Sequence, residues 1–267
     1  MSTITASQVK ELRDATGAGM MDCKRALEET GGDVAAARTI LRQRGVAQAG
    51  KRAGRETTEG KVGVRVEGGV GTIVAIGCET EPVSNNEDFL AFGKRVLETV
   101  ERDGPEAVGT LEEERVELVA KLGENVIVRG AASLEAGDGE TLAAYAHPPA
   151  NKIGVLVRAR GSEETARMLA MHISFGAPSW TRRDDVPAEI VGAERQIYLN
   201  SDEVQSKPEG AREKIVDGML GKRFFAAQPG GVLLDQPWIH ESSKSVGQSL
   251  TEAGAEVLEF VRFSVAE

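Results

Sequence analysis

The chain has 267 residues, about twice the length of an ordinary single domain, so we expect more than one folded unit. Its formal net charge of -10 at pH 7, from 42 acidic and 32 basic residues, argues against a protein that mainly neutralises nucleic-acid phosphates. No apolar run reaches the roughly 18 to 20 residues of a membrane span, and the opening residues lack the apolar stretch of a signal peptide. We therefore expect a cytoplasmic protein that binds protein partners, with no direct role for nucleic acid or membranes.

Cysteine and histidine are scarce and widely spaced. The two cysteines, Cys23 and Cys78, lack the close spacing of a metal clip or a redox motif. Free thiols in a reducing compartment are favoured over a single disulfide, which the sequence leaves open. The three histidines, His147, His172 and His240, lack the short spacings of a zinc site. The sequence predicts neither a metal ion nor a cofactor.

Residues 1–45 are predicted to form a compact module of three short helices. Thr5 and Gln8 have the spacing of a capping box, which predicts the start of the first helix. Asp33 is a natural N-cap for the third helix, and Gly45 is expected to end it. The apolar positions are few, so the core of the module is very small and only marginally stable alone.

The composition changes over residues 46–60, which are mostly small or charged and offer almost nothing to bury. This segment is predicted to be a linker or an exposed helix. Its basic residues, Lys51, Arg52 and Arg55, are interpreted as a solvated cluster, with phosphate binding as the less favoured alternative.

A period of two then replaces the helical period and predicts a β-hairpin. Val62, Val64 and Val66 alternate along the first strand, and the apolar run Thr72–Ile76 follows a glycine turn. A helix with apolar residues at helical spacing is expected to begin near Asn86.

The order of hairpin and helix recurs further along the chain, which predicts an α+β core of two halves around antiparallel sheets. We assign residues 61–130 to the N-terminal half, and residues 131–184 and 232–267 to the C-terminal half. Residues 185–231 are mostly helical and polar with a break near Lys207–Pro208. They are predicted to form a helical hairpin, coiled-coil-like, that projects from the core.

No pattern of catalytic residues stands out. The phosphate-binding pattern G-x-x-x-x-G-K-[ST] is absent. Gly69 and Gly71 lie in the hairpin turn without a following helix, so they indicate tight turning rather than a dinucleotide site. Cys23 or Cys78 could pair with His172 as a nucleophile, but ordinary buried cysteines are the favoured interpretation. The sequence therefore predicts a protein that acts by binding and is not an enzyme.

A series of characteristic segments runs in order along essentially the entire chain. They are Val9–Arg13, Thr16–Lys24, Ala26–Leu27, Glu79–Thr80 with Val83, Gly123–Asn125, Lys152–Val157, Met171–Ile173, Pro208, Ser243–Gly247 and Phe260–Phe263. Together these segments resemble bacterial elongation factor Ts, the exchange factor for elongation factor Tu. A coincidence of one short motif would not extend over this length.

The resemblance implies a ubiquitin-associated-like N-terminal module, a two-part core and a protruding helical hairpin. It also implies a protein that binds elongation factor Tu in its GDP form and promotes GDP release and GTP exchange. In such proteins the N-terminal module and the first half of the core grip the nucleotide-binding domain of the partner. The second half of the core touches the third domain of the partner.

By position, the resemblance assigns partner contacts to Met20, Met21, Lys24, Ile153 and His172. Methionine side chains adapt well to a partner surface. Two alternatives stay open. Met20 and Met21 could instead complete the small helical core, and His172 could be a buried histidine with satisfied hydrogen bonds.

The segment Thr80–Val83 stands where the family has the pattern T-D-F-V, whose acidic and aromatic residues enter the partner and disturb its bound magnesium. Glu81 keeps the carboxylate on a longer arm, whereas Pro82 replaces the aromatic residue by a rigid ring without a backbone donor. We therefore expect Thr80, Glu81, Pro82 and Val83 to act on the magnesium site of the partner, without carrying over the aromatic wedge.

A hypothesis of another class is a non-catalytic adaptor, whose three-helix module recruits a ubiquitin-like or other small protein. An enzyme that uses Cys78 is a third hypothesis. An adaptor would bind its partner without accelerating nucleotide release, so an exchange assay distinguishes it from an exchange factor.

Overall fold

The structure is a computed structural model that describes residues 4–266. Helices and two three-stranded antiparallel sheets make this chain an α+β protein, as predicted. Among the described residues, no helix is both long enough and apolar enough to cross a membrane.

The N-terminal module consists of three helices, α1 (Ala6–Thr16), α2 (Met20–Glu29) and α3 (Val34–Arg52). The predicted capping box is present, because Gln8 N donates to Thr5 Oγ1 and Thr5 N donates to Gln8 Oε1. One small apolar cluster holds the three helices together. Its buried members are Val9, Leu12, Cys23, Ala26, Leu27 and Ala37.

The third helix continues past Gly45, so the predicted helix end at this glycine is wrong. Gly45 is buried, and a Cβ atom there would lie 3.1 Å from Ala120 Cβ on α6 (Glu112–Leu122). The glycine permits the close approach of two helices, which is a contact between residues far apart in sequence. Only residues 53–58 separate α3 from the first strand, and residues 46–52 of the predicted linker are helical.

The first half of the core is an antiparallel sheet covered on one face by helices. Its strands are β1 (Glu59–Glu67), β2 (Val70–Cys78) and β3 (Val126–Glu135), in the order β1-β2-β3. Its helices are α4 (Glu81–Ser84), α5 (Glu87–Asp103) and α6, with a 3-10 segment at Pro105–Leu111. The predicted hairpin is confirmed. Asn86 caps α5 by accepting a hydrogen bond of 2.9 Å from Asp88 N.

The second half begins with β4 (Glu140–Ala146), β5 (Ile153–Arg160) and α7 (Glu163–Gly176). Ser162 caps α7, because its hydroxyl accepts a hydrogen bond of 3.1 Å from Thr165 N. The predicted boundary at residue 130 falls inside β3, which pairs with β2 along its whole length. The first sheet therefore continues past the boundary that composition and pattern suggested.

A helical hairpin follows, as predicted. It comprises α8 (Ala188–Leu199), α9 (Asp202–Gln205), α10 (Glu209–Met219) and a π-helical segment, Leu220–Phe225. The break at Lys207–Pro208 is confirmed, because α10 starts directly after Pro208. The hairpin has an apolar cluster of its own, which consists of Val186, Val204, Val216, Met219, Leu220, Phe225 and Val232.

The chain returns to the second half through a short ribbon that the sequence did not predict. This ribbon pairs β6 (Pro237–Trp238) with β7 (Glu241–Ser245). The helix α11 (Val246–Glu252) and the strand β8 (Glu256–Ser264) then complete the second sheet, whose order is β4-β5-β8. Helices α7 and α11 share an apolar cluster with this sheet.

The two sheets pack against each other through an apolar layer to which both contribute, for example Ile73 from β2 and Leu156 from β5. Two glycines allow this close approach. A Cβ atom on Gly71 would lie 2.5 Å from Leu156 Cδ1, and one on Gly154 would collide with the side chain of Val62. The core is therefore a stack of helices, sheet, sheet and helices, and its two halves share one interior.

Gly71→Ala is expected to lower the free energy of unfolding by about 1–3 kcal/mol, because the added methyl group overpacks the layer between the sheets. The matched control is Gly218→Ala in α10, where a Cβ atom would meet nothing within 4 Å. That substitution should raise the free energy of unfolding by about 0.5–1 kcal/mol, because alanine favours the helix. Urea unfolding followed by circular dichroism measures both. Equal effects of the two substitutions would contradict the close contact of the sheets.

Candidate functional site

The segment Thr80–Val83 begins one residue after the end of β2 and contains the start of a single helical turn rather than an open loop. Thr80 is extended, with φ -131° and ψ 154°, and α4 starts at the next residue. Pro82 fits the first turn of this helix, because a backbone N–H at that position has no partner within a helix. Ser84 N donates to Thr80 O at 3.1 Å, which closes the turn.

The four predicted residues of this turn differ in exposure. Thr80, Glu81 and Pro82 are exposed, whereas Val83 is half-buried and packs against the apolar cluster of the first half. The Ser84 hydroxyl is buried and donates to Glu81 O at 2.8 Å. The turn is thus anchored from below by Val83 and Ser84, and it presents a carboxylate and a proline ring to the surroundings.

Two carboxylates hold the chain where the ladder between β2 and β3 ends. The last pair of this ladder joins Cys78 to Val126. Beyond it, Glu124 accepts hydrogen bonds from Thr80 N at 3.0 Å and from Thr80 Oγ1 at 2.6 Å. In return, Glu79 Oε1 accepts a hydrogen bond of 2.6 Å from Asn125 N. We call Glu79, Thr80, Glu124 and Asn125 the carboxylate clamp.

The segment that follows α3 is tied to the same place. Arg55 forms an ion pair of 3.2 Å with Glu79, and the buried Asn125 side chain donates to Arg55 O at 3.0 Å. Arg55 therefore has a specific carboxylate partner rather than belonging to a purely solvated cluster. The path from the N-terminal module into the core runs beside the clamp.

The thiol of Cys78 lies beneath the turn. It is fully buried and its Sγ donates to Thr80 O at 3.3 Å. Burial, reinforced by the negative charge of Glu124, raises the pKa of Cys78 to about 12. Burial also raises the pKa of Cys23, and both cysteines are free. A thiol that stays protonated near pH 7 is a poor nucleophile, which argues against the hypothesis of an enzyme based on Cys78.

The methionines predicted to contact a partner lie at the start of α2 and face outward. Met20 is 58% exposed and Met21 is 61% exposed, and Lys24 is exposed one turn further along the helix. The alternative that these methionines complete the helical core is wrong, because Cys23 and Leu27 supply that face of α2. The structure thus leaves two large flexible apolar side chains without cover at the start of one helix.

Lys121 on α6 links the loop before α2 to the neighbourhood of the turn. Its aliphatic chain packs against Gly17, where a Cβ atom would lie 2.7 Å from Lys121 Cδ and where φ is +67°. Its ammonium group donates to Asp88 Oδ1 at 2.7 Å, in the first turn of α5. Lys121 therefore connects the loop before Met20 to the first turn of α5, the helix that follows α4.

The turn also lies within electrostatic reach of the second half. The Lys152 ammonium group, directly before β5, pairs with Glu59 at 2.5 Å. The hydrogen bond and charge of Glu59 raise the pKa of Lys152, and the charge of Glu81 adds to this effect. The predicted contact residue Ile153 is the first residue of β5, so the start of that strand faces the same region.

Ile153 itself is half-buried and lines a groove of about 640 Å³ on the second half. The groove carries two exposed apolar side chains, Phe175 at 68% and Ile239 at 38% exposure. Sequence reasoning missed both. The available signal for Phe175 was its position on α7. It is an aromatic residue that lies outside the buried face of this helix, which carries Leu169 and Ile173.

His172 lies below this groove and is fully buried. Ile239 N donates to His172 Nδ1 at 3.3 Å, so the proton is on Nε2, which donates to Gln236 Oε1 at 2.9 Å. Trp238 stacks on the ring at 5.1 Å between centroids. The ring has no exposed surface for a partner, and its contacts are those of the alternative interpretation, a buried histidine with satisfied hydrogen bonds.

Burial lowers the pKa of His172 to about 4, against an ordinary value of 6.5. The folded protein therefore prefers neutral His172, and its stabilisation is present above pH 6.5 and lost as pH falls toward 4. Between pH 7 and pH 4.5, wild type should lose about 2 kcal/mol more unfolding free energy than His172→Gln. Urea unfolding at both pH values measures this difference. An identical pH dependence of the two proteins would contradict the buried neutral state.

A family model described as Elongation factor TS matches residues 79–267. Elongation factor Ts of Citrobacter koseri is 42% identical over 272 residues, covering 100% of this chain and 93% of that protein. The proteins of the same name from Shewanella amazonensis and Idiomarina loihiensis are also 42% identical, covering 99% of this chain and 91% of each relative.

These comparisons define a translation elongation factor, a protein that serves protein biosynthesis. The chain belongs to the elongation factor Ts family. The family match starts at Glu79, the first residue of the carboxylate clamp, and the similarity to the whole relatives includes the three-helix module as well.

Proposed function

We propose that this protein binds elongation factor Tu in its GDP form and promotes the release of GDP and the entry of GTP. The observation that carries this proposal is the exposed Glu81–Pro82 turn, which is anchored to the first half of the core and connected through Lys121 to the loop before exposed Met20 and Met21. Membership of the elongation factor Ts family supports the choice of partner.

The proposed action requires a surface that contacts the partner, and no chemical step carried out by this protein. A GTP-binding protein holds GDP through a phosphate loop and a magnesium ion, and magnesium demands near-ideal octahedral oxygen geometry. A small intrusion that moves one ligand therefore weakens nucleotide binding. The magnesium ion in this proposal is the one bound by the partner.

Thermodynamic linkage determines how such a factor must change the affinity of its partner for GDP. If it binds the empty partner more tightly than the GDP-bound partner, it lowers the affinity for GDP by the same ratio. Each tenfold ratio corresponds to about 1.4 kcal/mol of differential contact. GTP then displaces the factor through the same coupling, so the factor is released without any chemical step.

Two surfaces would grip the partner. We assign Met20, Met21 and Lys24 to the nucleotide-binding domain of the partner, together with the turn. We assign the groove beside Ile153 to a second domain. Each place presents a pair of exposed apolar side chains, Met20 with Met21 and Phe175 with Ile239, and this supports a grip at two points.

The turn would act through the carboxylate of Glu81 rather than through an aromatic wedge. Pro82 is compact, lies in the first turn of α4 and restricts the backbone beside Glu81. The exposed Glu81 side chain has the longer reach of the two. A carboxylate brought near a magnesium site competes for the cation or repels its phosphate and carboxylate ligands, and either effect loosens GDP.

Glu81→Ala combined with Pro82→Ala is expected to slow factor-stimulated GDP release from elongation factor Tu at least tenfold, because the intruding carboxylate and its rigid support are lost. The matched control is Glu106→Ala, which removes an exposed carboxylate beside Pro105 in another helical first turn. Stopped-flow release of a fluorescent GDP measures each rate. Release as fast as with wild type would count against the role of the turn.

Met20→Ala combined with Met21→Ala is expected to weaken binding to nucleotide-free elongation factor Tu by roughly 1–3 kcal/mol, because two exposed apolar contacts are removed. Val34→Ala, an exposed apolar position at the start of α3, serves as control and should leave affinity unchanged. Isothermal titration calorimetry gives both affinities. Unchanged affinity of the double variant would remove these methionines from the interface.

A further inference from the structure

We propose that Glu124 is a positioning residue, whose carboxylate fixes the Thr80–Val83 turn in the orientation from which the turn acts on the partner. This inference rests on the proposed function and adds to it a residue that lies outside the turn. Glu124 is 44 positions away from Thr80 in sequence and reaches it only because β2 and β3 are neighbours.

The clamp solves a problem that arises wherever a β-ladder ends. Past the Cys78–Val126 pair, the backbone N–H groups of Thr80 and Asn125 have no strand partner. An unpaired backbone donor is costly where it is buried, as at Asn125. Each segment supplies the missing acceptor to the other, since Glu124 accepts from Thr80 N and Glu79 accepts from Asn125 N. The two segments are therefore fixed reciprocally.

Thr80 shows that the direction of the turn is set from outside α4. A threonine directly before a helix ordinarily turns its hydroxyl inward to cap the helix. The Thr80 side chain makes no capping bond, and its hydroxyl donates to Glu124 instead. Its carbonyl oxygen is engaged as well, because it accepts hydrogen bonds from Ser84 N and from the Cys78 thiol. Every polar group of Thr80 has a fixed partner.

Such anchors matter because α4 is too short to orient itself. A helix of one turn has no stability of its own in water. Hydrogen bonds to an ionised carboxylate are roughly twice as strong as neutral ones, so the two bonds to Glu124 are well suited to hold the turn. A turn that is oriented before binding does not have to be ordered at the moment of contact, which favours rapid action on the nucleotide site.

The test compares maximal GDP-release rates at saturating factor with affinities for nucleotide-free elongation factor Tu. Thr80→Val keeps the shape of the side chain and removes the hydroxyl, whereas Thr80→Ser restores the hydroxyl. Glu124→Ala removes both acceptors. Asp185→Ala is the matched control, because it removes a carboxylate that accepts a hydrogen bond from Arg182 N in a remote turn.

We expect Glu124→Ala and Thr80→Val to lower the maximal rate about tenfold while affinity changes less than threefold. Thr80→Ser and Asp185→Ala should stay within twofold of wild type. In a background that already carries Glu81→Ala and Pro82→Ala, Glu124→Ala should add less than a twofold loss, because it acts through the turn.

Two results would overturn the inference. One is a maximal rate within twofold of wild type for Glu124→Ala. The other is a fall in maximal rate with an equal fall in affinity and a loss of thermal stability, which indicates a purely structural residue.

Amide hydrogen exchange separates this inference from the proposed function. In the free protein, Glu124→Ala should speed exchange at Thr80 at least tenfold, whether or not wild type stimulates GDP release. If wild type fails to stimulate release, the proposed function fails, and unchanged exchange at Thr80 then refutes the positioning role as well. If wild type stimulates release and the Glu124→Ala and Thr80→Val variants stimulate it equally well, the inference fails while the proposed function stands.

Discussion

The contact between the two sheets is the constraint on which the rest of the molecule depends. Each sheet has one face covered by helices, and the other faces meet in an apolar layer that glycines 71 and 154 make thin. Because this layer belongs to both halves, neither half has a complete core alone. The turn after β2 and the groove beside β5 are therefore held at a fixed separation. A rigid distance between two contact surfaces is what a protein needs to strain a partner rather than merely to bind it.

The surfaces that this scaffold presents are suited to contact. Exposed Met20 and Met21 supply adaptable apolar area, and Glu81 supplies charge on a short anchored turn. The buried groups beneath are kept inert, since Cys78 stays protonated and His172 stays neutral near pH 7. His172 thus contributes to the groove indirectly, by fixing the ribbon that carries Ile239. This division between exposed contacts and inert supports agrees with a protein that acts by binding.

Local signals predicted the elements well, whereas contacts between distant residues escaped the sequence. The capping box of Thr5, the alternating valines of β1 and the break at Pro208 each depend on a few neighbouring residues, and all are confirmed. Gly45 was misread because its reason is Ala120 on another helix. The clamp could not be foreseen either, because the characteristic segments Glu79–Thr80 and Gly123–Asn125 meet only once β2 and β3 are paired. The exposure of the predicted site residues, above all that of the fully buried His172, needed the fold.

The most direct test of this account loads elongation factor Tu with fluorescent GDP, chases it with excess unlabelled GTP and follows release with and without this protein. We predict a large acceleration that increases with the concentration of the factor and then saturates, because the coupling between factor and nucleotide is reciprocal. Unaltered release at concentrations where binding is measured would contradict the account. The protein would then be an adaptor that recognises its partner without changing the affinity of that partner for GDP.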